Sequence, residues 1–101
     1  MLKIKGARRL ETSRFFPYFS QNKKEFKYLA LVGLGSNIEP EKKRFNKLFR
    51  VMMEDRRFKI LATSPFLINE AFGFKAQKDF TNAAMLIQTN LHARAYLKVL
   101  L

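Results

Sequence analysis

The sequence contains no cysteine, one histidine and only 8 acidic side chains in 101 residues. Without cysteine there is no disulfide scaffold and no thiolate chemistry, which suits a reducing cytoplasm without demanding one. The lone histidine, His92, has no second ligand at a usual spacing, and Glu70 and Asp79 stand nine residues apart. No metal site is therefore expected within the chain. No run of eighteen apolar residues occurs, so no membrane-spanning helix is expected. The start, Met1-Leu2-Lys3-Ile4-Lys5-Gly6-Ala7-Arg8-Arg9, is basic but lacks the continuous apolar core of a signal peptide, and the expected location is cytoplasmic. A phosphate-cradling loop is missing too, because Gly33-x-Gly35 is not followed by glycine, lysine and serine.

What is abundant is positive charge. Twenty Lys and Arg against 8 Asp and Glu give a formal net charge of +12, which raises an anionic partner without choosing among nucleic acid, a phosphate-rich metabolite or an acidic membrane. Hydrophobic residues make up 48% of the chain, enough for one modest globular domain.

The most organised stretch is Tyr28-Leu29-Ala30-Leu31-Val32-Gly33-Leu34-Gly35-Ser36-Asn37. Its apolar run predicts a buried strand ending in a tight turn, and Pro40 then suits the first turn of a helix. Phe45, Leu48, Phe49, Met52 and Met53 fall on one face of that helix, opposite Lys42, Lys43, Arg44, Lys47 and Arg50. The helix should end near residues 54–57. Phe58 to Thr63 is a short strand, broken by Ser64-Pro65, and the front of the segment from Phe66 extends it. From Glu70 the pattern is lost and a loop is expected. Asp79 to Thr89 is a second long strand. Ala93 to Leu101 is a helix whose apolar stripe is still running at the last residue. Residues 1–27 carry eight basic and two acidic side chains around Phe15-Phe16-Pro17-Tyr18-Phe19. They read as an extension whose aromatics pad one face of the domain, with a short strand at Met1–Ile4. The order strand, helix, strand, strand, helix over 28–101 is an α+β, ferredoxin-like β-α-β-β-α core, incomplete at the C-terminus because its last strand is absent.

One constellation carries possible chemistry: Phe72, Phe80 and Asn82, with Gly35, Ser36 and Asn37 opposite. Asn82 is an amide in an apolar strand, and a flat heterocycle with ring nitrogens would satisfy it between two aromatic rings. The plainer alternative is that Asn82 ties down the preceding loop and both rings are core.

The stretch Ala30-Leu31-Val32-Gly33-Leu34-Gly35-Ser36-Asn37-Ile38 resembles the opening strand and G-S-N turn of the 6-hydroxymethyl-7,8-dihydropterin pyrophosphokinase family. Ser64 to Phe74 resembles its S-x-x-Y-x-T-x-P-x-G region loosely, Asp79-Phe80-Thr81-Asn82-Ala83-Ala84 its D-[FY]-x-N-A strand, and Gln88-Thr89-Asn90-Leu91 its E-T-x-L. The resemblance covers residues 28–101. It implies ATP-dependent pyrophosphoryl transfer to a reduced pterin in folate biosynthesis, with two Mg²⁺ ions. It also implies that Asn82 hydrogen-bonds the pterin, Phe80 stacks on it and Phe72 lies near its other side. Gly35, Ser36 and Asn37 would shape the floor, and the backbone around Asn69 and Glu70 would close the pocket, where the family usually has Thr and Pro. Phe74 and Lys75 would fall in a mobile catalytic loop. The family's arginines, its G-P-R turn and its D-x-D metal pair would lie beyond Leu101, and Arg94 and Lys98 are not their counterparts. The chain is therefore expected to hold no catalytic or metal-binding residue of its own, to be inactive alone and to need a C-terminal segment. The alternative is a small basic ferredoxin-like nucleic-acid binder. It is disfavoured because Ala83 to Ile87 are all apolar and the charge lies on the helix and the extension.

Overall fold

The computed structural model describes residues 7–22, 24–69 and 79–92. Among them are six strands and one helix: β1 (Ala7–Glu11), β2 (Tyr18–Phe19), β3 (Tyr28–Ser36), α1 (Glu41–Glu54), β4 (Phe58–Thr63), β5 (Phe66–Asn69) and β6 (Phe80–Thr89). The fold is α+β. The expected helix at 93–101, the strand at 1–4 and the loop from Glu70 lie outside the described residues.

The sheet is antiparallel and built around β6. On one edge of β6, β3 pairs in continuous register from Tyr28↔Thr89 to Ser36↔Thr81. The other edge is shared by β4, over Phe58↔Thr89 to Thr63↔Met85, and β5, over Leu67↔Asn82 to Asn69↔Phe80. The break between β4 and β5 is the predicted Ser64-Pro65. Ser64 still holds β6, because its N–H donates to the Ala84 carbonyl and its Oγ accepts the Ala84 N–H, both at 2.9 Å. The extension is bound into this sheet: β2 pairs β4 and β1 pairs β5, the latter with register Ala7↔Asn69 and Glu11↔Phe66.

Residues on β3 alternate half-buried and exposed through all nine positions, so one sheet face meets the core and the other does not. The core face carries Phe58, Ile60, Phe66, Ile68, Met85 and Ile87, covered by Phe45, Phe49 and Met52 of α1. Helix bounds agree with the periodicity, with Pro40 at the cap position just before the first turn. The predicted apolar face is narrower than five residues: Leu48 is partly buried, but Met53 is 54% exposed. Residues 45, 49 and 52 are spaced i, i+4 and i+7 along one stripe, and Met53 lies a further ~100° round the helix.

The aromatic cluster of the extension does more than pad a face. Phe16 is fully buried, stacked on Phe66 at 4.8 Å between ring centroids and edge-on to Phe49 at 6.2 Å. Phe15 lies flat on Phe49 at 4.4 Å, and Tyr18 meets the same ring edge-on. Phe19 points the other way and is 78% exposed.

At the end of α1, Asp55 is gripped by Arg57 through Nη2–Oδ2 at 2.6 Å, Nε–Oδ1 at 2.9 Å and the Arg57 backbone N–H at 3.0 Å. The Arg57 side-chain bonds, then the backbone bond, hold this carboxyl down from 3.8 to about 2.

Two outcomes follow. Phe16→Ala should destabilise the chain by about 3–5 kcal/mol, read as a lower urea midpoint in circular dichroism. That is a large share of the stability of a domain this size. The depressed Asp55 value means its contribution is present above the unfolded value near pH 4 and is lost as pH falls toward 2. Asp55→Asn should therefore flatten the acid side of the stability profile in that window only, measured by thermal melts across pH.

Candidate substrate-binding site

Partners in an antiparallel ladder present their side chains on the same face. Because Thr81, Met85, Ile87 and Thr89 are buried against the core, Phe80, Asn82, Ala84 and Leu86 face the other side of β6. Asn82 there stands in a row between Gly35 of β3 and Leu67 of β5. A Cβ placed on Gly35 would sit 3.0 Å from Asn82 Oδ1, so the missing side chain is what lets the Asn82 amide lie across β3. The second glycine, Gly33, has nothing within 4 Å of the same position, and its glycine is not needed for contact.

The chain leaves β3 through a turn closed by Ser36, whose Oγ accepts the Ile38 N–H at 3.1 Å. That turn sets Asn37 and Ile38 ahead of α1. A cavity of about 460 Å³ opens there, floored by Gly35, Ser36 and Asn37 and bordered by Phe80, with Arg44, Phe45 and Leu48 of α1 along its wall. Phe80 is 40% exposed, and its ladder partner is Asn69. Asn82 makes no side-chain hydrogen bond to the described residues and keeps both a donor and an acceptor for a ligand.

Six of the eight residues expected from sequence thus meet at one end of the sheet: Gly35, Ser36, Asn37, Asn69, Phe80 and Asn82. Glu70 and Phe72 lie outside the described residues. Sequence reasoning did not find Arg44, Phe45 and Leu48 as wall residues. The signal available was their position one turn into the helix that the Gly35-Ser36-Asn37 turn feeds. A larger cavity, about 630 Å³, lies elsewhere, where Ile68, Asp79 and Thr81 face β1 and the start of α1. It is the greater space, but Phe80 is not among its lining residues; Asn82 lines neither cavity and reaches the site only through its row with Gly35.

Among the described residues no group of three or more His, Asp or Glu side chains could hold a metal ion. No helix among the described residues is long and apolar enough to cross a membrane.

Residues 31–101 match the model of the 7,8-dihydro-6-hydroxymethylpterin-pyrophosphokinase family, and the chain belongs to that family. A Campylobacter jejuni protein named 2-amino-4-hydroxy-6-hydroxymethyldihydropteridine pyrophosphokinase is 80% identical over all 101 residues, which are 64% of its length. A Helicobacter pylori protein of the same name is 32% identical over 89 residues, 88% of this chain and 55% of that protein. The chain therefore spans under two thirds of the length of these relatives.

The Gly35–Asn82 contact makes a differential prediction. Gly35→Ala should displace the Asn82 amide by a few tenths of an ångström, seen as a shift of its side-chain NH₂ resonances in NMR spectra. Gly33→Ala should leave those resonances in place.

Proposed function

We propose that the protein to which this chain belongs transfers the pyrophosphoryl group of ATP to the hydroxymethyl group of 6-hydroxymethyl-7,8-dihydropterin, and that residues 28–101 supply the pterin side of its site. Residues 1–27 are then an extension of that domain. The observation that carries this is the Asn82 amide, unengaged by the described residues and lying over the bare backbone of Gly35 beside Phe80. An amide is matched to the N–H and carbonyl groups on the edge of a pterin, and a ring offers that heterocycle a stacking surface. In this reading Asn82 binds the pterin edge, Phe80 stacks on its face, and Gly35, Ser36 and Asn37 form the floor. Asn69, the ladder partner of Phe80, borders the pocket on that side, and the expected Glu70 and Phe72 lie outside the described residues. The substrate's hydroxyl oxygen bonds to the β-phosphorus as the bond from that phosphorus to the α-phosphate oxygen breaks, releasing AMP and the hydroxyl proton. Such transfers depend on cations to hold the phosphates. ATP and Mg²⁺ are the co-substrate and cofactor of this reading, and residues 28–101 are assigned to the pterin rather than to the phosphates. The setting is cytoplasmic, where folate precursors and ATP are available.

Fluorescence or calorimetric titration of 6-hydroxymethylpterin into the folded chain should show saturable binding. Asn82→Ala should weaken it by about tenfold, the worth of one or two hydrogen bonds at ~1 kcal/mol each. Phe80→Ala should weaken it about threefold to tenfold through lost stacking of ~0.5–1.5 kcal/mol. Absence of binding, both in the folded chain and in a protein of the relatives' full length, would overturn the reading.

A further inference from the structure

The strand β1 lies wholly outside the residues that the family model matches, yet it reaches the substrate end of the sheet. It pairs with β5 from Glu11↔Phe66 to Ala7↔Asn69, and β5 in turn holds Asn82 and Phe80 through Leu67 and Asn69. Without β1, β5 would be a four-residue edge strand held on one side, and such strands open locally.

Glu11 adds a second link. One of its carboxylate oxygens pairs with Arg9 on its own strand, and the other pairs with Lys42 in the first turn of α1. That turn follows directly on Ser36, Asn37 and Ile38. The ion network therefore ties the outer edge of β5 to the start of the helix across the 630 Å³ cavity. Thr81 and Asp79, the chain neighbours of Phe80, line the same space. Further along α1 the extension is fastened again, where Ser13 Oγ donates to Asn46 Oδ1 at 3.0 Å and Phe15 lies on Phe49. The charge state agrees: Lys42, then Arg9, holds the Glu11 carboxyl below its ordinary range.

We propose that Glu11 is a positioning residue: by joining β1 to Lys42 it holds the β5–β6 end of the sheet and the start of α1 in register for substrate. The consequence for substrate rests on the pterin reading above; the consequence for local structure does not. The network is partly exposed, and ion pairs of this kind add little to global stability. Its effect should therefore be local.

The test is amide hydrogen exchange on the full chain, with and without Glu11→Gln, Lys42→Met and Lys42→Arg. Glu11→Gln and Lys42→Met should speed exchange about threefold to tenfold at residues 67–69 and 80–82. Residues 49–52 of α1 should not change, and Lys42→Arg should behave as the unaltered chain. Unchanged exchange at the sheet end, or equal acceleration throughout the fold, would overturn the proposal. A parallel titration with 6-hydroxymethylpterin should show the same ordering of affinities. Equal binding by Glu11→Gln, Lys42→Met and the unaltered chain would also overturn it. Selective exchange, with no pterin bound by either the chain or a protein of the relatives' full length, would support the positioning and reject the pterin reading.

Discussion

Everything in this fold hangs on β6, whose backbone is hydrogen-bonded on both edges. Nine of its ten residues, Thr81 to Thr89, meet β3 along one side, and β4 and β5 share the other. A side-chain period of two means that a shift by a single residue would send Met85 and Ile87 to the open face and Asn82 into the core. Burial of those two apolar residues therefore sets where the polar amide of Asn82 emerges. The same register places it opposite Gly35, where no side chain competes for the space. Fold energetics and site geometry are one constraint here.

The core depends on a residue from outside the family-matched region. Phe16 stands among Phe45, Phe49 and Phe66, so the layer between α1 and the sheet is closed by a ring from the extension. Burial of an aromatic of this size contributes on the order of 2–3 kcal/mol. The extension then returns as two edge strands, one against β4 and one against β5. A segment that is separate in composition is continuous with the domain in packing.

Some of this was legible in the residues. The helix over 41–54 announces itself by period, because one face lies on the core, whereas the strands over 28–36 and 80–89 stand out as apolar runs. The first is not buried as its run suggests, since Leu29 and Leu31 are exposed on the open face. The Ser64-Pro65 break was legible because proline cannot donate to a ladder. The strand β1 was not, since Arg9, Leu10 and Glu11 show no apolar alternation and Leu10 is 67% exposed. A two-residue strand such as β2 has no period to read. Met53 looked like core because sequence spacing does not say how wide the covering sheet is.

At the site the division is similar. Gly35-Ser36-Asn37 and Phe80-x-Asn82 could be found as local patterns, because each is contiguous and chemically distinctive. Their meeting could not, since it depends on an antiparallel register spanning 47 residues between Gly35 and Asn82. Nor could the wall formed by Arg44, Phe45 and Leu48, or the link from Glu11 to Lys42, which join segments with no shared pattern. By itself the sequence determined the elements with one buried face, the family, and the types of side chain available to a ligand. Those follow from local periodicity and contiguous motifs. Only the tertiary structure decided which glycine matters, which phenylalanine closes the core and how the extension reaches the site, because those are properties of pairing between distant segments.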